Sequence, residues 1–222
     1  MMGPGRMIKL GLGALLPGAV LVKGGRRDGR VALTFDDGPH PECTPRILDI
    51  LERDGAIATF FVQGKIAEQY PGLIREVSMR GHQIGNHGYI HLDAKRTSRH
   101  RYVEDVKRAQ EVLQNMVGKA LDKIFRPPFG NVTGTTFVSL ACSGYRFVFW
   151  SADSRDSFIR NPAEIIEHIS TLNIVGGDIL LLHEDYSHTV AALPGILQSL
   201  RSRALTFCRV GDLRTGQTPG IK

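Results

Sequence analysis

The sequence has little of what builds a disulfide-stapled, nucleic-acid-binding or membrane-spanning protein. Only three cysteines, Cys43, Cys142 and Cys208, occur in 222 residues. They are scattered and odd in number, which argues against a disulfide framework and offers no paired spacing for a structural metal site. Lys and Arg outnumber Asp and Glu by 28 to 22, giving a net charge of +6 and a pI near 9.4. Yet no basic block is interleaved with aromatics, so nucleic acid is not expected as a partner. A moderately basic face suits an anionic glycan or an acidic membrane surface equally well. The main apolar run near the start, Leu10 to Val22, is interrupted by three glycines and Pro17 and is too short for a transmembrane helix. It follows Arg6 and Lys9 as a signal-peptide core does, but Val22-Lys23-Gly24-Gly25 makes a poor cleavage site. Residues 1–29 are therefore expected to be either a signal or anchor, a route to membrane association, or an arm packed on the domain. No internal repeat or low-complexity tract is present.

What is there reads as one α/β domain with a sizeable core, since 42% of residues are hydrophobic and 23% charged. Apolar, β-favouring runs at Arg30–Asp37, Ala58–Val62, His82–Gly85, Lys123–Arg126, Tyr145–Trp150, Asp178–Leu182 and Ala204–Val210 alternate with helical patterns. Thr44 reads as an N-cap before Pro45, Asn161 as one before Pro162, and Ser98 to Val117 as a long amphipathic helix. Alternation of this kind implies a parallel sheet covered by helices, with about seven units against the eight of the common barrel. The domain is expected over 30–213, with 214–222 as a tail.

The chain is organised around Val31-Ala32-Leu33-Thr34-Phe35-Asp36-Asp37-Gly38-Pro39, a strand that stops on two adjacent carboxylates. Taken alone this reads more readily as a turn than as a site. But two carboxylates held together repel, and a bound cation is the simplest offset, leaving one Asp to ligate and the other free as a base. Asp36, Asp37, His87, Arg126, Asp153, Asp156 and His183 all follow the C-terminal ends of expected strands, where barrel sites gather. His87 and His91 are four apart, which on a helical turn puts both imidazoles on one face. With Asp37 they make a three-ligand set with an open position, the pattern of catalytic zinc. His183, at the end of a buried strand, is either a satisfied core residue or a general acid. Arg126, before Pro127-Pro128, is placed to hold a carboxylate, with Asp36 or Asp156 suitable. That stiff turn also lets the N–H after Pro128 point at a reacting oxygen. Trp150 is core or pocket wall. His40, His82, His100, His168 and His188 read as surface or structural.

Thr34-Phe35-Asp36-Asp37-Gly38, His87-Gly88-Tyr89-Ile90-His91, Arg126-Pro127-Pro128-Phe129-Gly130, Asp153-Ser154-Arg155-Asp156 and Leu181-Leu182-His183 stand in the order of the five motifs of the polysaccharide deacetylases. This is carbohydrate esterase family 4, the NodB-homology domain, and the chain resembles it over about residues 30 to 210. The resemblance implies a distorted (β/α)7 barrel and metal-assisted hydrolysis of N-acetyl groups on a GlcNAc-containing glycan. It implies Asp36 as catalytic base, Asp37, His87 and His91 as metal ligands, and Arg126 as the residue orienting the base. The Phe129 N–H becomes the oxyanion donor, His183 the catalytic acid and Asp156 the carboxylate that tunes it. Pro128, Phe129, Trp150 and Leu181 are expected to line the substrate pocket. The cofactor is one divalent metal, zinc first, with cobalt, nickel or manganese as alternatives. The expected place of action is a bacterial cell envelope or the cell exterior, ahead of the cytoplasm. Two positions depart from the motifs: Gly88 stands where Ser or Thr is usual, and Ser157 where Trp is usual. The first takes a hydroxyl from the metal loop, and the second opens the pocket wall. An O-acetyl carbohydrate esterase and a metal-containing, glycan-binding pseudoenzyme remain as alternatives.

Overall fold

The structure, a computed structural model, describes residues 18–25 and 29–213. Of the segment 1–29, read as a signal, an anchor or a packed arm, residues 1–17 and 26–28 lie outside the described residues, as does the tail expected over 214–222. Among those described, no helix is long and apolar enough to cross a membrane.

Strand β2 (Arg30–Asp36) is the centre of the fold. Its side chains alternate as a pleated strand requires. Val31, Leu33 and Phe35 join the core beneath the helices, whereas Ala32 joins the separate cluster with Phe61, Val148 and Ile179 inside the curled sheet. Thr34 and Asp36 share the face of Ala32, so the strand carries two polar groups into that interior. β3 (Thr59–Val62), β8 (Ile179–His183) and β9 (Thr206–Cys208) all pair with β2. The full sheet runs β1-β6-β5-β4-β3-β2-β8-β7, and each pairing is parallel. Here β1 is Val20–Leu21, β4 Gln83–Asn86, β5 Ile124–Phe125, β6 Arg146–Val148 and β7 Ala152–Asp153. In register, Asp36 stands opposite Phe61 of β3 and His183 of β8.

The helices are α1 (Cys43–Asp54), α2 (Gly64–Gln69), α3 (Pro71–Met79), α4 (Arg99–Val117), α5 (Gly134–Cys142), α6 (Pro162–Thr171) and α7 (Ser187–Arg201). Ile47, Leu48 and Leu51 of α1, Ile165 and Ile169 of α6, and Leu193, Ile196 and Leu200 of α7 are completely buried in one cluster with Leu33, Phe60, Leu180 and Leu182. Phe35 stacks on Phe60 with ring centroids 5.1 Å apart. Burial on this scale, at about 25 cal/mol per Å² of apolar surface, is the main force holding the parallel strands in place.

The expected single-domain parallel architecture is observed, with three corrections. The sheet is an open curl ending on β1 and β7, two short strands the sequence pattern did not reveal. β1 lies in the 1–29 segment, for which an arm packed on the domain was one expectation; it pairs with β6, and Leu21 is buried. The strand expected at Ala204–Val210 shrinks to β9, which pairs only with the first residues of β2. Thr44 is not an N-cap: α1 begins at Cys43, and the Thr44 hydroxyl accepts from the His40 N–H at 2.8 Å and donates to Glu184 Oε2 at 2.8 Å. Asn161 does cap α6, accepting from the Ala163 N–H at 3.0 Å.

His82 is a buried structural histidine. It accepts from the Ala58 N–H through Nδ1 at 3.2 Å and meets Phe60 edge-on. Burial, helped by the charge of Arg80, pushes its pKa from 6.5 down to about 4. The unfolded chain therefore binds this proton first on acidification. The stability His82 protects is present above about pH 6.5 and is lost towards pH 4, by about 3 kcal/mol. Urea unfolding of wild type and His82→Phe at pH 7 and pH 4.5 tests this: the variant should lose markedly less stability over that interval.

Candidate active site

Arg126 follows β5 and is fully buried, the largest such side chain among the described residues. An isolated guanidinium in that position costs several kcal/mol unless it is paired. Nη1 donates to Asp36 Oδ1 at 2.7 Å and to Thr34 Oγ1 at 2.8 Å, and Thr34 Oγ1 donates to the Leu180 carbonyl at 2.7 Å. The ring of Phe61 lies 4.2 Å from the guanidinium carbon. Of the two carboxylates the sequence offered to Arg126, the structure selects Asp36. Oδ1 of Asp36 is thereby taken, and Oδ2 faces His87 Nε2 at 3.9 Å.

Asp37 then leaves the strand direction with φ 72°, in the left-handed region. Its Oδ1 lies 3.5 Å from His87 Nε2 and 3.2 Å from His91 Nε2. Ligand atoms of these three residues all fall within 4.8 Å of one another. The His87 Nδ1 is 2.8 Å from the Arg126 carbonyl. A carbonyl only accepts, so Nδ1 carries the proton and Nε2 is left bare for a metal, the usual outer-shell arrangement of a ligating His. Burial and the neighbouring His87 hold the His91 pKa below its ordinary value, against the pull of Asp37. Burial raises the Asp37 pKa, but the charges of His87, His91 and His183 and a 2.8 Å hydrogen bond from Gln63 Nε2 lower it further, for a net depression. A bare imidazole nitrogen and an ionised carboxylate are what a divalent cation requires, so the donor set fits.

The loop carrying the two histidines is not the helical turn the spacing suggested. It is irregular, with Gly88 at φ 80° and His91 at φ 57°. What steadies it in place of the usual hydroxyl is Asp105 of α4, whose carboxylate accepts from the Tyr89 N–H at 2.7 Å and the Ile90 N–H at 3.2 Å. Gly88 suits its positive φ, and a β-carbon there would meet Asp105 Oδ2 at 2.9 Å, so a larger residue would have to displace that carboxylate.

His183 ends β8 beside this centre, its Nε2 4.0 Å from Asp37 Oδ2. Its Nδ1 is 2.7 Å from Asp156 Oδ1, which fixes the proton on Nδ1. Burial opposes the charge on His183, but the Asp156 bond and the charges of Asp156, Asp36 and Asp37 outweigh it and push the pKa up to about 9. The imidazole is therefore a cation at neutral pH. Asp156 is itself held by the His183 N–H at 2.7 Å and Thr189 Oγ1 at 2.8 Å, while His188 Nε2 donates to its carbonyl at 2.8 Å.

These groups open on a cavity of about 420 Å³ lined by Asp36, Asp37, His87, His91 and His183, with Phe129, Trp150 and Leu181 among its walls. Pro128 is a correction: Pro127, and not Pro128, lines the cavity. Phe129 takes φ 57°, its ring 65% exposed and edge-on to His91 at 4.6 Å. The Pro127 and Pro128 carbonyls accept from Gly130 and Asn131, whereas the Phe129 N–H makes no hydrogen bond among the described residues. Ser157, where a Trp was usual, lines the cavity beside Phe158, which is 77% exposed.

Sequence reasoning missed Gln63, Asp105, His188, Thr189 and Glu184. The first four act from elements remote in sequence, and no local spacing announces them. Glu184 did leave a signal: Glu184-Asp185 adds two carboxylates after an apolar strand, the same argument that singled out Asp36-Asp37. It is 1% exposed, and burial pushes its pKa up to about 8 against the Thr44 bond.

The sequence matches the family model described as polysaccharide deacetylase over residues 23–148. A peptidoglycan-N-acetylglucosamine deacetylase of Bacillus cereus is 38% identical over 188 residues, covering 82% of this chain and 87% of that one. A chitooligosaccharide deacetylase of Azorhizobium caulinodans is 34% identical over 191 residues, covering 80% and 90%. The crystal structure of the Bc1960 peptidoglycan N-acetylglucosamine deacetylase, in complex with 4-naphthalen-1-yl-N-oxidanyl-benzamide, aligns with TM-score 0.84 at 29% identity, over 91% of this chain and 96% of that chain.

The geometry around Asp37 predicts one divalent ion per chain. Elemental analysis of the purified protein should give a stoichiometry near one. His91→Ala should lose the metal on dialysis, and His183→Ala should keep it. A His91→Ala protein with undiminished metal content contradicts the ligand set.

Proposed function

Because the chain belongs to the polysaccharide deacetylase family, we propose that it hydrolyses N-acetyl groups on N-acetylglucosamine residues of a poly- or oligosaccharide. The observation that carries this reading is the convergence of a metal-ligand triad, a held carboxylate and a cationic imidazole on one cavity. Asp37, His87 and His91 would hold zinc, the ion best matched to two imidazole nitrogens and a carboxylate with an open position; cobalt, nickel and manganese accept the same donors. Such an ion polarises the acetyl carbonyl and makes water a better nucleophile.

The chain's own groups then divide the proton transfers. Asp36 takes a proton from the attacking water as the new C–O bond forms, with Arg126 holding its other oxygen. The free Phe129 N–H donates to the carbonyl oxygen as negative charge collects there. His183 gives its Nε2 proton to the sugar nitrogen as the C–N bond breaks, and Asp156 stabilises the imidazolium beforehand. The products are acetate and a free amine. A pure glycan-binding protein needs neither Asp36 nor His183, which weighs against the pseudoenzyme alternative. An ester would use the same groups with less demand on His183, since an alkoxide leaves more readily than an unprotonated amine.

A chain substrate is supported by the cavities on either side. One of about 530 Å³ shares Asp37 and His91 with the catalytic cavity, and one of about 450 Å³ shares Asp153 and Phe158. Sugars flanking the reacting one would lie there, with Phe158 offering an aromatic face. A bacterial cell envelope or the cell exterior, where such polymers occur, is the place of action we propose.

Acetate release from β-1,4-linked N-acetylglucosamine oligomers of one to five units is the direct test. Release should stop with chelator, return with zinc, and rise with length; no release from any acetylated glycan in zinc-loaded protein would refute the reading. Asp36→Asn should keep its metal and lose roughly a hundredfold or more in turnover. Phe158→Ala should slow the pentamer and spare the monomer.

The pH profile separates the acid from the base. His183 must be protonated to act, so activity should fall as pH rises through about 9. Asp156→Asn removes what holds that pKa up, and the alkaline limb should move to lower pH by about one unit or more. An unmoved limb would assign it to another group.

A further inference from the structure

Glu184 is a buried carboxylate beside the site that takes no part in the reaction above. Its N–H donates to the Asp36 carbonyl at 3.1 Å. Oε2 accepts from Thr44 Oγ1, while Oε1 is buried with no hydrogen-bond partner. An orphaned buried oxygen costs stability that an apolar side chain there would not. The carboxyl lies hard against the backbone of Gly38: a β-carbon built at Gly38 would coincide with Glu184 Oε1 and Cδ. Gly38 is not left-handed, so the missing side chain there is demanded by Glu184 and not by the backbone. The Gly38 carbonyl accepts from the Gln63 N–H at 3.0 Å, and Gln63 Nε2 binds Asp37. The turn after β2 is thus held between Gln63 and Glu184.

Asp37 needs such a clamp. It is a non-glycine residue at φ 72°, a conformation that persists only where its surroundings over-determine it. We propose that Glu184 is a positioning residue for the metal ligand Asp37: its carboxyl, seated in the space Gly38 leaves, sets the turn that aims Asp37 at His87 and His91. This rests on the metal-site reading given above. Only the shape and hydrogen bonding of the carboxyl are used, so an amide of the same shape serves as well.

The test is the zinc affinity of the full chain, measured by competition with a chromophoric chelator, alongside thermal melting without metal. Glu184→Gln should stay within about threefold of wild type, and Glu184→Ala should bind about tenfold or more weakly while still folding. Gly38→Ala places a methyl where the carboxyl sits and should weaken zinc more than either. The double variant Gly38→Ala/Glu184→Ala should recover about tenfold over Gly38→Ala, because the methyl then occupies the vacated space. A purely structural Glu184 would lower the melting temperature of Glu184→Ala and leave its zinc affinity unchanged, which overturns the proposal. A double variant no better than Gly38→Ala overturns it too. If Gly38→Ala does not fold, the comparison of Glu184→Gln with Glu184→Ala still decides. Wild type that binds no zinc would overturn the metal reading together with this one, whereas tight wild-type binding matched by Glu184→Ala overturns this one alone.

Discussion

The buried pair of Arg126 and Asp36 is the interaction on which the rest depends. Removing either partner strands a charge inside the sheet, a cost of about 3–5 kcal/mol. The pair also ties strands together that sequence keeps far apart. Arg126 follows β5, Asp36 ends β2, and Thr34 between them passes the contact to Leu180 of β8. The Arg126 carbonyl sets the tautomer of His87. One side chain and its own backbone thus hold the Asp36 carboxylate and orient the His87 imidazole. A hydrophobic interior of similar volume would be at least as stable, but would orient nothing.

From this centre the site divides into two electrostatic halves. On one side the Asp37 carboxyl and the His91 imidazole are held below their ordinary pKa values, and the Arg126 carbonyl orients the His87 ring. On the other, Asp156 keeps His183 charged against the cost of burial. Two imidazoles of equal ordinary pKa are driven apart: burial and the neighbouring His87 hold His91 down, whereas Asp156 pushes His183 up against burial.

Much of this was legible in the sequence because parallel strands deliver their terminal residues to one rim. Asp36, His87, Arg126 and His183 were found from strand ends alone, and the ladder places Asp36 opposite His183. The short strands were not legible: two residues such as Val20–Leu21 or Ala152–Asp153 carry no period, and their strand character comes from the neighbour they pair with. The His87–His91 spacing singled out two residues that the structure brings beside Asp37, while suggesting the wrong backbone. Their approach comes from a left-handed His91 and from Asp105 on a distant helix. Pro128 was expected in the pocket wall from the family resemblance, whereas its neighbours Pro127 and the exposed Phe129 line the cavity.

Five described residues other than glycine are left-handed, and four of them, Asp37, His91, Phe129 and Arg155, belong to the site or its rim. Each such conformation stores about 1–3 kcal/mol. Glycine would relax all four, so drift towards conformational ease and the retention of chemistry pull in opposite directions at the same codons. A thermostability screen run on this chain would be drawn to these positions. Asp37 and His91, two of the three residues that could hold a metal, and Phe129, whose N–H has no hydrogen-bond partner among the described residues, would be among its first casualties, and the improved melting curve would conceal the loss.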